Sequence, residues 1–185
     1  LNHGISTGGL FLIVGMIYER RHTRMIADFG GISKVMPIFA VFFMIITLSS
    51  IALPGTNGFV GEFLILLGAF KANVVYGVLA TTGVVLGAVY MLWMFQRVMF
   101  GVITKDANRE LKDLEGREIA ILCSMVFFII LMGVYPKMFF NKMDTSVTEC
   151  LSLVKNKNAQ ARMLEQNRGA TTKVAVEVTN TNMTR

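Results

Sequence analysis

Charge is scarce in this chain, and it is unevenly placed. The 185 residues are 54% hydrophobic and 16% charged, where a soluble domain carries about 25% charged residues. Leu1–Tyr18, Pro37–Phe70, Val74–Gln96 and Ile119–Pro136 are nearly free of charge, and the ionisable residues fall between them. That distribution excludes a soluble globular domain. Stretches of about 20 apolar residues match a bilayer core of roughly 30 Å, so the expected class is an all-α polytopic membrane bundle.

Other scarcities narrow the chemistry. The two cysteines, Cys123 in an apolar run and Cys150 in the tail, have neither metal-ligand spacing nor an obvious partner. The only histidines are His3 and His22, too few for a metal site or a haem. No glycine-rich phosphate loop follows a strand pattern, and no nucleophile–base set emerges. The expectation is therefore no metal and no cofactor bound by this chain. The net charge of +6 resides in loops and tail, without an aromatic-interleaved basic face, which argues against nucleic acid.

The loop charges report orientation instead. Arg20, Arg21, Arg24 and Lys34 lie in one connection and Arg97, Lys105, Arg109, Lys112 and Arg117 in another, while the turn between the spans that separate them has only Lys71. Basic loops stay cytoplasmic, so both would face the cytoplasm and Lys71 the opposite side. The segments Arg20–Arg24 and Gly101–Gly116 read as solvated connectors. His22, outside the apolar run, is expected to have no catalytic role. The glycine pairs Gly4/Gly8 and Gly83/Gly87 each permit a close helix neighbour.

The second span is the informative one. Pro37–Phe70 has 34 residues, which as one straight helix would be about 50 Å long. The turn signal Pro54-Gly55-Thr56-Asn57-Gly58 divides it into Pro37–Leu53 and Phe59–Phe70. The second piece is too short to span alone, so a discontinuous helix fits and a hairpin of two crossings does not. Pro54 lacks an N–H, and Gly55 and Gly58 permit unusual backbone conformations. Such a break lines a hydrated path, binds an ion, or is a simple kink.

Glu62 is the sole charged residue between Met36 and Phe70. Desolvation there works against a bare charge, so the residue is either a group that takes up and releases a proton or a structural acid bonded to the broken helix. Gly58 and Gly61 leave the backbone beside it bare. His3 is the second candidate, suited to proton relay or else a satisfied core residue; Ser6 and Thr7 share its helix face. Three segments follow: a transmembrane domain 1–137, an amphipathic interfacial helix 138–154, and a mostly disordered polar tail 155–185. In the middle segment Phe140, Met143, Val147, Leu151 and Val154 recur at helical spacing; the tail is polar in composition. The chain starts inside an apolar helix, and the expectation is a C-terminal part of a longer protein.

The motifs carry a specific resemblance. His3-Gly4-Ile5-Ser6, Gly9-Leu10-Phe11-Leu12, Tyr18-Glu19-Arg20, His22-Thr23-Arg24, Leu53-Pro54-Gly55-Thr56, Asn57-Gly58-Phe59-Val60-Gly61-Glu62-Phe63 and Arg97-Val98-Met99-Phe100-Gly101, with Tyr90, resemble the C-terminal part of the chain M (subunit 4) family of proton-translocating NADH-quinone oxidoreductase, respiratory complex I. The match covers about residues 1–137. It implies an antiporter-like fold of about fourteen helices, of which roughly the last four are here. It implies that proton translocation is coupled to NADH oxidation and quinone reduction. NADH, quinone, FMN and iron–sulfur clusters would be handled by other subunits, and chains of L and N type would be its membrane-arm partners. The setting would be a bacterial cytoplasmic or mitochondrial inner membrane. His3 and Glu62 would belong to the proton path, Glu62 at its outlet. Sister chains generally carry Lys at the Glu62 position, so the acid favours M. An Mrp-type Na⁺/H⁺ antiporter subunit or a hydrogenase-linked membrane subunit is the alternative.

Overall fold

The computed structural model describes the backbone of residues 1–183 and the side chains of residues 1–160 together with Met163. It is all-helical among the described residues and divides into two compact units, Leu1–Pro136 and the segment from Lys137 onward. The first unit contains α1 (Asn2–Arg21), α2 (Pro37–Ser50), α3 (Asn57–Ala72), α4 (Val74–Met99) and α5 (Gly116–Val134), with short 3₁₀ turns in the two longer loops. The 26-residue α4 and 19-residue α5 are long and apolar enough to cross a bilayer. Only 6% and 17% of their most apolar windows are buried within the chain. Helices so apolar and so uncovered suit a lipid or protein surround.

At 1.5 Å per residue, α2 and α3 are about 21 and 24 Å long, so neither half spans a core of roughly 30 Å alone. The interruption is a stop and restart written in local chemistry. The N–H of Ala52 bonds the Ser49 carbonyl and that of Leu53 the Leu48 carbonyl, at 3.2 and 3.0 Å. Ala52 is left-handed, with φ 59°. This is the Schellman way of ending a helix, with alanine where glycine is usual. Pro54 and Gly55 then occupy the centre of a turn closed by the Thr56 N–H on the Leu53 carbonyl at 3.0 Å, and Gly55 has φ 92°. Proline followed by a left-handed glycine is the type II pattern.

The break therefore spans residues 51–56. The sequence places it at Pro54–Gly58; the structure starts it before the proline, because Pro54 disfavours helical backbone in the preceding residue. Asn57 and Gly58 already belong to α3.

The core of the unit is modest: Ile13, Met36, Phe39, Phe43, Ile46, Phe95, Met99, Leu122 and Ile129 are among its buried side chains. Phe43 anchors it, with ring centroids 5.1 Å from Phe95 and 6.0 Å from Phe39. The glycine pairs have no close neighbour among the described residues. Among the described residues a methyl group at Gly4, Gly8 or Gly83 would meet nothing within 4 Å, and one at Gly87 only the Tyr90 ring; the close approach of α1 to α2 is at Gly9, against Ile46.

The loop Gly101–Gly116, expected to be a solvated connector, is a clamp. The Asp113 carboxylate accepts the N–H groups of Ile38 and Phe39 at 2.9 and 3.1 Å. It thus caps α2 from outside and places negative charge at the positive end of the helix. Arg20, expected in solvent, spends every guanidinium proton. Two go to Glu118 at 2.8 and 2.6 Å, and the others to the carbonyls of Met16, Lys112 and Asp113. Arg21 reaches buried Asn108, which in turn bonds the Asp28 carbonyl.

The second unit is the helix α6, Lys137–Met183. The sequence leads to a helix over 138–154 and a disordered tail over 155–185; the described helix runs on through that boundary. Ala159-Gln160-Ala161-Arg162-Met163-Leu164-Glu165-Gln166 is a run of strong helix formers with no glycine or proline to stop it. The last two tail residues lie outside the described residues.

Candidate functional site

Three small polar residues from three helices meet where α2 gives way to α3. Asn57 Nδ2 donates to Ser6 Oγ at 3.2 Å, the Ser6 and Ser49 hydroxyl oxygens are 2.7 Å apart, and Ser49 Oγ donates to Asn57 Oδ1 at 2.6 Å. The set closes on itself when Ser6 donates to Ser49, each hydroxyl then giving its one proton. The remaining Asn57 amide proton goes to the Asn2 carbonyl at 2.9 Å. Ser6, Ser49 and Asn57 are 4%, 0% and 0% exposed, so the hydrogen bonds work in a low-dielectric setting where an unpaired group is costly.

Glycine lets the chain close around this ring. A Cβ on Gly58 would run into the Ser49 carbonyl, and one on Gly133 of α5 into the Gly55 carbonyl. Gly61 lies under the Asn2 side chain, whose amide nitrogen is 2.9 Å from where a Cβ would be. Neither Ser49 nor Gly133 stands out in the sequence. Ser49 is one of several hydroxyls near the end of an apolar helix, and Gly133 is far away in the chain.

Glu62 is one turn beyond Gly58 on α3. It lines a cavity of about 370 Å³ between the end of α2, α3 and α4, together with Ser50, Ile65, Gly83, Gly87 and Tyr90. Its Oε2 is buried and has no hydrogen-bond partner among the described residues. The same holds for Asn2 Oδ1 and for Thr47 Oγ1, the latter on a residue 0% exposed. Such orphaned acceptors are where internal water is found.

His3 is placed differently. It is exposed on α1, and its ring nitrogens lie 3.3 and 3.4 Å from Thr7 Oγ1 one turn later. It is not part of the Glu62 cavity lining, and no hydrogen bond joins it to Glu62 among the described residues. The structure thus gathers Gly55, Thr56, Asn57, Gly58 and Gly61 around one junction with Ser6 and Ser49 and sets Glu62 in the cavity beside it, with His3 exposed on α1 and outside that lining. Pro54 and Thr56 shape the turn itself, the Thr56 hydroxyl donating to the Leu53 carbonyl at 2.7 Å. His22 ends α1 in a left-handed conformation with its N–H on the Tyr18 carbonyl.

A helical membrane bundle with one helix broken in its apolar run, an acid beside the break and a cavity at that acid defines a broken-helix class of membrane fold, in which irregular backbone faces protein or a cavity rather than lipid. Residues 1–87 match the family described as NADH:quinone oxidoreductase/Mrp antiporter, TM. It is 45% identical over 166 residues to NADH-quinone oxidoreductase subunit M of Rhodobacter capsulatus, covering 90% of this chain and 32% of that one. It is 44% identical over 148 residues to NADH-ubiquinone oxidoreductase chain 4 of Arabidopsis thaliana, covering 80% of this chain and 30% of that one. Among solved structures it resembles a chain of respiratory complex I from Thermus thermophilus with bound NADH. That likeness has a TM-score of 0.68 and 39% identity over 75% of this chain and 29% of the other. The chain spans about a third of the length of the curated relatives it matches.

Proposed function

We propose that this chain is part of a membrane-arm subunit of NADH:quinone oxidoreductase that translocates protons as NADH is oxidised and quinone reduced. The observation that carries the reading is Glu62. It is the only charged side chain between Met36 and Phe70, it follows a broken helix, and its Oε2 is buried without a partner among the described residues. An acid in that position takes a proton from a hydrated path and releases it. In this reading His3 belongs to the same path, reached through water rather than by direct contact. Redox chemistry, with FMN and iron–sulfur clusters, takes place in other subunits, and chains of the L and N type are membrane-arm neighbours. The membrane is the bacterial cytoplasmic or the mitochondrial inner one, with the basic loops on the cytoplasmic or matrix side.

The test is Glu62→Gln in the full-length subunit within the assembled complex. NADH-driven proton translocation is expected to be abolished or strongly reduced while the complex still assembles. Wild-type pumping by the assembled Gln variant overturns the assignment. The family also includes Mrp antiporters. Proton flux driven by a sodium gradient without NADH would favour that second reading.

A further inference from the structure

The Glu62 cavity contains an asymmetry of donors and acceptors. Its polar side chains are Ser50, Glu62 and Tyr90. Ser50 has one hydroxyl proton, and Oγ donates it to the Ile46 carbonyl at 3.0 Å; towards the cavity it can only accept. Glu62 in its ionised form is acceptor-only, and Oε2 is buried and unpartnered among the described residues. The Tyr90 hydroxyl has no hydrogen-bond partner among the described residues, so it is the one O–H in the lining free to donate. The floor beside it is open. Among the described residues a methyl group placed on Gly83 would meet nothing within 4 Å, and one on Gly87 only the Tyr90 ring edge at 4.0 Å, so these glycines leave space in the lining. A cavity of about 370 Å³ has room for several waters at ~30 Å³ each.

We propose that Tyr90 is a positioning residue for proton exchange at Glu62: its hydroxyl holds the cavity water through which the carboxyl is reached. This rests on the reading of Glu62 as a proton-handling group. A proton arriving on that water passes to the Glu62 carboxylate, leaving neutral water and a carboxylic acid, and Tyr90 keeps its own proton. The protonated acid can then donate to the water or to the Ser50 oxygen. Glu62 and Tyr90 are the only titratable side chains in the lining, across all three helices that form it.

The experiment measures NADH-driven proton translocation by the assembled complex in liposomes for Tyr90→Phe, Tyr90→His, Gly83→Val and Glu62→Gln. Tyr90→Phe keeps the ring and loses the donor, and is expected to slow translocation by up to roughly tenfold, the equivalent of one lost hydrogen bond. Tyr90→His loses the shape, keeps a donor, and is expected to restore part of the rate. Gly83→Val fills cavity space from the lining and leaves both Glu62 and Tyr90 unsubstituted, and is expected to slow translocation as well. A packing role predicts the reverse order, with Phe active and His inactive, and that result overturns the proposal. So does wild-type pumping by both Tyr90→Phe and Gly83→Val beside an inactive Glu62→Gln, or failure of both to assemble. Wild-type pumping by Glu62→Gln instead removes the reading on which the proposal stands.

Discussion

Ser49 donates its hydroxyl proton to Asn57 Oδ1 at 2.6 Å, joining the last turn of α2 to the first residue of α3 across a six-residue gap in the helix. With Ser6 the pair forms a closed ring that no water or lipid needs to complete. Asn57→Ala leaves two buried hydroxyls and the Asn2 carbonyl short of partners. Loss of one buried partner costs about 1–3 kcal/mol, so the expected outcome is a lower melting temperature of the detergent-solubilised complex. Proton translocation per assembled complex should fall too, since α3 loses the tie that fixes Glu62. Ser6→Ala with Ser49→Ala, which removes the ring more evenly, is expected to cost less than the sum of the single substitutions.

The break makes opposite demands at two neighbouring positions. Ala52 has φ 59°, a conformation that costs an L-residue roughly 1–2 kcal/mol, and Ala52→Gly is expected to raise the melting temperature by relieving it. Gly58 is in regular helix, where alanine would ordinarily gain about 1 kcal/mol. Yet a methyl there collides with the Ser49 carbonyl, so Gly58→Ala is expected to destabilise and to disturb the ring. Melting curves of the two variants should therefore shift in opposite directions. A stabilised Gly58→Ala variant would refute the close contact.

Arg20 and Glu118 form a two-pronged pair, each side chain 16% exposed, and the guanidinium also bonds three carbonyls. Lysine offers three donors and no planar fork. Arg20→Lys is expected to cost about 2 kcal/mol, the range for hydrogen bonds to charged groups, although it conserves the charge. A double-substitution cycle with Glu118→Gln, read by thermal unfolding of the solubilised complex, should give a coupling energy clearly above that of an exposed ion pair. A coupling near zero would return the loop to the role of a solvated connector.

Glu62→Gln and Tyr90→Phe complete the set of tests. The first addresses the proton handling proposed for Glu62, and the second the donor role proposed for Tyr90.

Much of the frame follows from the residue order alone. Long uncharged runs specify membrane-type helices, because nothing else satisfies the backbone in lipid. Pro54-Gly55 specifies a turn, because proline fixes one φ and glycine alone accepts the next at no cost. The isolated Glu62 announces itself by being a charge with no neighbour of its own kind. These are local or compositional signals, legible without knowing what packs on what.

What the chain order does not contain is who meets whom. Ser6, Ser49 and Asn57 are separated by 43 and 8 residues, and no periodicity distinguishes them from other small polar residues. The clamp of Arg20 on Glu118, 98 residues away, and the capping of α2 by Asp113 turn loops that read as solvent into structure. His3 is exposed on α1 and bonds Thr7, outside the lining of the Glu62 cavity. Gly83 and Gly87 look like packing glycines and line the Glu62 cavity together with Tyr90. Residue order is enough to dictate that a helix breaks beside an acid in the membrane. Which groups close the break, and which residues share a cavity with the acid, are matters of packing, because contacts are set by distance in space.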